Sequence, residues 1–314
     1  MHTKANDTMI YLEKFIFPDV DHDTLIHDHR LGSFYDEHSY PFHLTSSKAL
    51  WSLDFEPITI LYGNNGSGKS TILNVISQKL CANRTAMFNS SPYFDEYVKR
   101  CHYKASERLA GETLYDGYRE RQKYDIANIT TVITSDDIFH MMQEQRLSND
   151  MKLHKSRFLH DDYYMPEDLA KHINFETGYN VEKFNSGMKV RKAKSFNQYL
   201  LNTIGKMERG FSNGETALMK LSEAIEQPGI YLLDEPENSM SCDFQMKLAS
   251  IIQHLARRGG CQFIIASHSP FILSLEGAKI YNLDHLPVNI CEWWELENMR
   301  SYFKLFEQAR EHFL

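Results

Sequence analysis

Two kinds of hydrophobic pattern divide this chain. Short, nearly continuous apolar runs closed by turn residues predict buried strands, and apolar residues three and four apart predict helices. Met9 to Phe17 reads as a strand entering Pro18, and Ser39 to Leu44 and Ala49 to Phe55 read as two more. They lie close in sequence and lead into the apolar run at Ile58, which predicts an antiparallel section beside it. A helix is predicted over Lys69 to Leu80. From Asn83 to Met207 the pattern is mixed and rich in Tyr, Lys, Asp and Met. Within it Ile126 to Ile133 predicts a strand, and Asp137 to Arg146 and Pro166 to Ile173 predict helices. No a/d heptads are sustained there, which argues against a long coiled coil. Beyond Met207 the pattern sharpens into helices over Glu215 to Glu226 and Phe244 to Arg257, the latter with Leu248, Ile251, Ile252 and Leu255 on one face. Strands are predicted at Ile230 to Leu233, Phe263 to Ala266 and Lys279 to Leu283. Short strands alternating with helices imply a parallel sheet wrapped by helices.

Chemistry enters at the turn between Ile58–Leu61 and the helix. The segment Gly63-Asn64-Asn65-Gly66-Ser67-Gly68-Lys69-Ser70-Thr71 has GxxxxGKS spacing, with an apolar strand before it and an apolar helix start after it. That is the context a phosphate-binding loop requires. Its glycines let backbone N–H groups close around phosphate oxygens, and the helix N-terminus adds its positive end. Lys69 can reach β- and γ-phosphates, and the Ser70 hydroxyl suits Mg²⁺.

A second half of the site is readable further on. Tyr231-Leu232-Leu233-Asp234-Glu235 is an apolar strand ending in two acids. Ligands gather at the carboxyl edge of open α/β sheets, so Asp234 can bind Mg²⁺ there and Glu235 can polarise the attacking water. The next strand ends in Ser267-His268-Ser269, which places His268 as a sensor of the γ-phosphate. Phe211-Ser212-Asn213-Gly214-Glu215 opens a helix, with Ser212 as N-cap and Glu215 three residues on, as in a capping box. A Ser-x-Gly helix start is also an anion-binding surface, and the residues leave open which phosphate it meets.

Composition narrows the class. The chain has 314 residues, 42% apolar and 24% charged, as a globular protein with a sizeable core does. No apolar run approaches a membrane span, and Met1 to Asp7 lacks a secretory apolar segment, so a soluble cytoplasmic protein is expected. The net charge of −8 gives no general pull toward nucleic acid. The five cysteines show no CxxC pair and are expected to be reduced. Asp21-His22-Asp23 and His27-Asp28-His29 read as solvated loops rather than a metal site. Lys189, Arg191, Lys192 and Lys194 read as a solvated basic face rather than a nucleic-acid track. The aromatic C-terminal stretch (Trp293, Trp294, Leu296, Met299, Tyr302, Phe303, Phe306) reads first as docked on the protein's own sheet and second as a partner groove.

Taken in order, GNNGSGKST, FSNGE, YLLDEPEN and ASHSP resemble the motifs of the ABC-type ATPase superfamily. Within it, the match is to soluble heads related to SMC and double-strand-break-repair ATPases, and above all to stand-alone bacterial proteins known as AAA family ATPases. The resemblance covers Ser39 to Leu80 and Glu208 to the end. It implies an α/β P-loop NTPase of ABC ATPase-head type, with a mixed sheet, an antiparallel N-terminal section and a largely helical insert. Residues 1–82 and 208–314 would form the head and 83–207 the insert. It also implies two heads dimerising head-to-tail around two ATPs. Gly63 to Thr71, Asp234, Glu235 and His268 of one copy would hold a nucleotide whose γ-phosphate is capped by Ser212, Gly214 and Glu215 of the other.

The departures are as informative. The signature is Phe-Ser-Asn-Gly-Glu rather than the transporter form Leu-Ser-Gly-Gly-Gln, and Ser241 stands where many relatives carry Asp. No glutamine is secure for the Q-loop: Gln198 is one candidate, and Ser135 with Asp136 at a strand end is the better positional fit. Tyr40 and Phe42 are the candidates for stacking on adenine. Four functions are weighed. An ATP-gated switch for a partner, such as a nuclease or other effector in bacterial defence, needs the hydrolysis set and no effector motif. A DNA-repair or chromosome ATPase needs heptads or a zinc hook. A transporter ATPase needs the Gln-ended signature, a clear Q-loop and a shorter insert. A nucleotide-binding scaffold would not need Glu235.

Overall fold

The computed structural model describes residues 9–18, 40–41, 44–91, 94–106, 110–115, 118–123, 125–163, 213–225 and 228–313. Its strands are β1 (Leu12–Ile16), β2 (Ser52–Asp54), β3 (Ile58–Tyr62), β4 (His102–Ala105), β5 (Ala110–Tyr115), β6 (Tyr118–Lys123), β7 (Thr130–Thr134), β8 (Gly229–Asp234), β9 (Cys261–Ala266), β10 (Lys279–Asn282) and β11 (Asn289–Cys291). The longer helices are α1 (Lys69–Lys79), α2 (Phe94–Arg100), α3 (Ser135–Tyr163), α4 (Asn213–Ala224), α5 (Cys242–Arg258) and α6 (Glu297–Gln308). The stretch between Asn83 and Met207 therefore contributes β4 to β7 as well as helices.

The three most apolar runs, β3, β8 and β9, sit inside a six-stranded sheet of order β11-β10-β3-β9-β8-β7. All of its pairings are parallel except β10 with β11. Strands covered on both faces read as continuous apolar sequence, and all five residues of β3 and all six of β9 are buried. The antiparallel section forms its own sheet, β2-β1-β4, and β5 and β6 form a hairpin. Leu12, Phe15 and Leu53 of the small sheet share one apolar core with Leu61, Ile72, Leu73, Ile76, Leu232 and Ile264.

Gln262 breaks the apolar run of β9 and is fully buried. Its Oε1 accepts the N–H groups of Tyr11 (2.9 Å) and Leu12 (2.8 Å), and its Nε2 donates to the carbonyls of Leu12 (2.8 Å) and Glu56 (3.3 Å). One side chain thus ties the β1 edge to the central sheet. Gln262→Leu keeps the volume and removes all four of these hydrogen bonds. At about 0.5–1.5 kcal/mol per hydrogen bond lost, the variant is expected to lose on the order of 3–5 kcal/mol of stability, read as a shift of the urea-unfolding midpoint.

Several predicted elements move. The strand over Ser39 to Leu44 is not formed at its described residues. Tyr40 and Pro41 lie in a turn, the Leu44 N–H donates to the Pro41 carbonyl (3.3 Å), and a short helix runs Leu44–Ser47. Pro41 has no N–H for a ladder, and the Tyr40 ring stacks on Phe94 at 5.8 Å. β7 begins at Thr130 because residues 126–129 turn, with the Thr130 hydroxyl donating to the Ile126 carbonyl. α3 begins at Ser135. Thr134 and Asp137 cap it reciprocally, through Thr134 N–H and hydroxyl to Asp137 Oδ2 (2.9 and 2.8 Å) and Asp137 N–H to Thr134 Oγ1 (3.2 Å). α5 buries Leu248, Ala249, Ile252 and Ala256, a stripe set closer to its small residues than predicted. The aromatic C-terminal stretch divides: its aliphatic Leu296 and Met299 are buried, but Tyr302, Phe303 and Phe306 are exposed. The helix expected over Pro166 to Ile173 lies outside the described residues.

The chain packs as two compact units, Met1–Phe139 with Asn213–Leu314, and His140–Ser212. No described helix is long and apolar enough to cross a membrane. The five cysteines are unbridged.

Candidate nucleotide site

β3 delivers the chain to the loop, and α1 carries it away. Gly66 and Gly68 stand at φ 82° and 96°, left-handed conformations that glycine adopts without strain. Gly63 is constrained differently: a Cβ there would lie 2.4 Å from Ser67 Oγ and 2.8 Å from Ser67 Cβ. Gly63→Ala must open the loop. A displacement of that order in a loop of converging N–H groups is expected to weaken ATP binding roughly tenfold or more, with the fold retained, as a titration with ATP would show.

Lys69 is the first residue of α1 and is 4% exposed. Its ammonium donates to the carbonyls of Gly63 (2.8 Å) and Asn64 (3.2 Å), so the loop curls around it. Glu235 Oε1 lies 3.6 Å from the same nitrogen. Asn64, Asn65 and Gly66 face solvent, Ser67 is buried, and Thr71 is half-buried. The Asn64 N–H is taken by both oxygens of Asp284 (3.1 and 2.9 Å), from the turn after β10.

β8 lies one strand away from β3, across β9, and ends in the acids. Asp234 Oδ1 accepts the Ser70 hydroxyl at 3.0 Å. Burial pushes the Asp234 carboxyl up to about 6, and the Ser70 hydrogen bond opposes that rise. Two hard oxygen donors thus meet beside the Gly63 to Thr71 loop. No cluster of three His, Cys, Asp or Glu side chains that could hold a metal occurs among the described residues. The pair fits Mg²⁺, which takes few protein ligands and completes its shell with water and phosphate oxygens.

Glu235 has φ 46°, uncommon for a residue with a Cβ. Its N–H donates to the Ala266 carbonyl (2.9 Å), and Asn238 Nδ2 donates to its Oε2 (3.1 Å). The strain and these two bonds aim the carboxylate between Lys69 and His268, whose Nδ1 is 3.8 Å from Oε1. His268 is 47% exposed.

The structure therefore brings Gly63 to Thr71, Asp234, Glu235 and His268 together at one carboxyl edge. Thr134 pairs with Asp234, so Ser135 and Asp136 stand at that edge too. Gly214 is buried in the first turn of α4, where a Cβ would meet the Phe244 ring (2.8 Å) and Met240 Cα (3.6 Å), and Glu215 follows it. Ser212, Phe42, Gln198, the His/Asp pairs of residues 21–29 and the basic run of residues 189–194 lie outside the described residues. Ser241 precedes α5 and makes no capping bond through its side chain. Two residues with a part here were not singled out from sequence. Asp284 secures the loop from 220 positions away, and Glu237, 4% exposed, accepts the Ser267 hydroxyl (2.6 Å) and the His268 N–H (3.3 Å). Burial raises the Glu237 carboxyl above its ordinary range, and the Ser267 bond opposes it.

The chain is also similar to known proteins. Residues 49–238, more than half of the chain, match the ABC transporter family model. Residues 209–274 match a model described as "AAA domain, putative AbiEii toxin, Type IV TA system". An uncharacterized ABC transporter ATP-binding protein of Mycobacterium tuberculosis is 24% identical over 245 residues, 73% of this chain and 79% of that protein. A zinc import ATP-binding protein of Aliivibrio fischeri is 24% identical over 157 residues, 49% of this chain and 57% of its own. Among solved structures, the Smc head domain of Pyrococcus furiosus bound to the C-terminal domain of ScpA is 13% identical, covering 82% of this chain and 95% of its own, with a TM-score of 0.34. An Smc head bound to the C-winged helix domain of ScpA is 15% identical, covering 80% and 94%, with a TM-score of 0.37. The chain belongs to the ABC family of ATP-binding proteins and is an ATP hydrolase.

Proposed function

We propose that this ATPase is a switch: two copies close head-to-tail around Mg-ATP, and hydrolysis lets them part, so that nucleotide state controls a partner protein. The observation that supports it best is the convergence on Glu235 Oε1 of Lys69 (3.6 Å) and His268 (3.8 Å), beside the Ser70–Asp234 pair. In this reading Lys69 exchanges its loop carbonyls for phosphate oxygens, and Ser70 and Asp234 would hold Mg²⁺, which supplies charge neutralisation at the phosphates. Glu235 takes a proton from the attacking water, and His268 faces the γ-phosphate. Gly63 to Gly68 present backbone N–H groups to the phosphates. Ser212, Gly214 and Glu215 of the second copy cap the nucleotide from outside. The partner would be an effector, and the toxin–antitoxin description matched by residues 209–274 favours a place in bacterial defence.

Light scattering with a non-hydrolysable ATP analogue and Mg²⁺ tests the switch. The expected result is twice the monomer mass with the analogue and the monomer mass without it. A monomer at analogue concentrations well above its dissociation constant overturns the reading.

A further inference from the structure

We propose that Glu237 is a positioning residue for ATP hydrolysis: its buried carboxylate anchors the His268 loop to the loop that carries Glu235. The inference rests on the reading of His268 as the residue facing the γ-phosphate. Glu237 lies two residues after Glu235 and is 4% exposed. A single oxygen, Oε1, accepts both the Ser267 hydroxyl (2.6 Å) and the His268 N–H (3.3 Å). Ser267 Oγ accepts the Ser269 N–H (3.1 Å), and the Ser269 hydroxyl donates to Gln245 Oε1 (2.7 Å). Gln245 Nε2 donates to the Met240 carbonyl (3.0 Å), and the Met240 N–H donates to the Glu237 carbonyl (3.0 Å). The ring of bonds closes on itself. It joins the end of β8, the end of β9 and the first turn of α5, and α4 rests on it where Gly214 approaches Met240.

Packing alone does not call for this residue. Its second oxygen, Oε2, is buried with no hydrogen-bond partner. A neutral amide could accept the same two bonds without the cost of burying a carboxylate. What the arrangement does achieve is geometric: the His268 backbone is pinned, and His268 Nδ1 is held 3.8 Å from Glu235 Oε1.

The test is a double-mutant cycle, with steady-state ATP turnover, ATP affinity and melting temperature measured for each protein. Glu237→Leu keeps volume and removes both acceptors. Because misplacement by about 1 Å can cost on the order of 10²-fold, kcat is expected to fall roughly 10- to 100-fold, with ATP affinity unchanged within about twofold. Glu237→Gln retains an acceptor oxygen and is expected to restore kcat to within a few-fold of the parent. In a His268→Ala background Glu237→Leu should lower kcat no further. Equal factors in both backgrounds, or an affinity loss matching the loss of kcat, overturns the proposal and leaves the role of His268 standing. An unchanged kcat in His268→Ala alone overturns the reading of His268 and this proposal with it. Ser267→Ala is run through the same cycle, so the test does not depend on the leucine variant folding.

Discussion

Lys69→Ala is expected to remove measurable ATP binding and, with it, ATP turnover. The side chain is almost wholly buried, and its ammonium lies 3.6 Å from Glu235 Oε1. It is held by the Gly63 and Asn64 carbonyls at 2.8 and 3.2 Å. Those neutral partners are weaker than phosphate oxygens, so the exchange on binding is favourable. Alanine forfeits it, and it leaves the Glu235 carboxylate uncompensated next to an incoming polyanion. Hydrogen bonds to charged groups contribute about 1.5–3 kcal/mol each, so losing two or three corresponds to a fall in affinity of roughly 10³-fold or more. Arginine is not a remedy, because a planar fork cannot replace a compact ammonium inside a curled loop. Calorimetric titration measures the loss directly. A second measurement is the ATP-induced rise in melting temperature, which should vanish in the variant. The fold itself should survive, since Lys69 packs against loop carbonyls rather than the apolar core. An affinity within a few-fold of the parent would place the triphosphate elsewhere.

The parts of this site that could be read from sequence are those whose cause is local. Gly66 and Gly68 are dictated by backbone angles within one loop, and β3, β8 and β9 announce themselves because parallel strands buried on both faces read as nearly continuous apolar runs. The residues that escaped are those whose partners the topology supplies. Gln262 looks like a flaw in an apolar run until β1 is laid against it, 250 positions away in sequence. Asp284 looks like a surface acid until β10 pairs with β3 and brings it to the Asn64 N–H. Glu237 looks like the tail of an acidic turn until β8 and β9 align and Ser267 arrives. The Thr134–Asp137 cap is a different case, since both residues are local and their T-x-x-D spacing was there to be read. The apolar neighbours of Tyr40 and Pro41 suggest a strand, although Pro41, with no N–H, marks a break.

Glu235→Gln is expected to lower kcat by roughly 10²- to 10⁴-fold, the usual contribution of a positioned general base, while leaving ATP binding intact. The substitution is nearly isosteric. The backbone bond from the Glu235 N–H to Ala266 O (2.9 Å) and the φ of 46° do not depend on the side-chain charge. The Asn238 amide can still donate to the remaining oxygen. What changes, under the proposed role of Glu235, is that no basic oxygen would face the attacking water, and Lys69 loses the carboxylate 3.6 Å away. Removing a negative charge from beside a triphosphate cannot weaken its binding electrostatically, so the affinity should be equal or higher. Turnover and affinity therefore separate, which distinguishes this variant from Lys69→Ala, where both are lost. The separation has a structural consequence under the switch reading. A copy that binds ATP but does not hydrolyse it stays closed on its mate, so the variant should persist as a dimer in Mg-ATP under conditions where the parent returns to monomer. Phosphate release measured alongside light scattering reads both effects in one sample. A kcat within a few-fold of the parent would remove Glu235 from the role of base. A low kcat with no lasting dimer would leave Glu235 in place and remove the coupling between hydrolysis and opening.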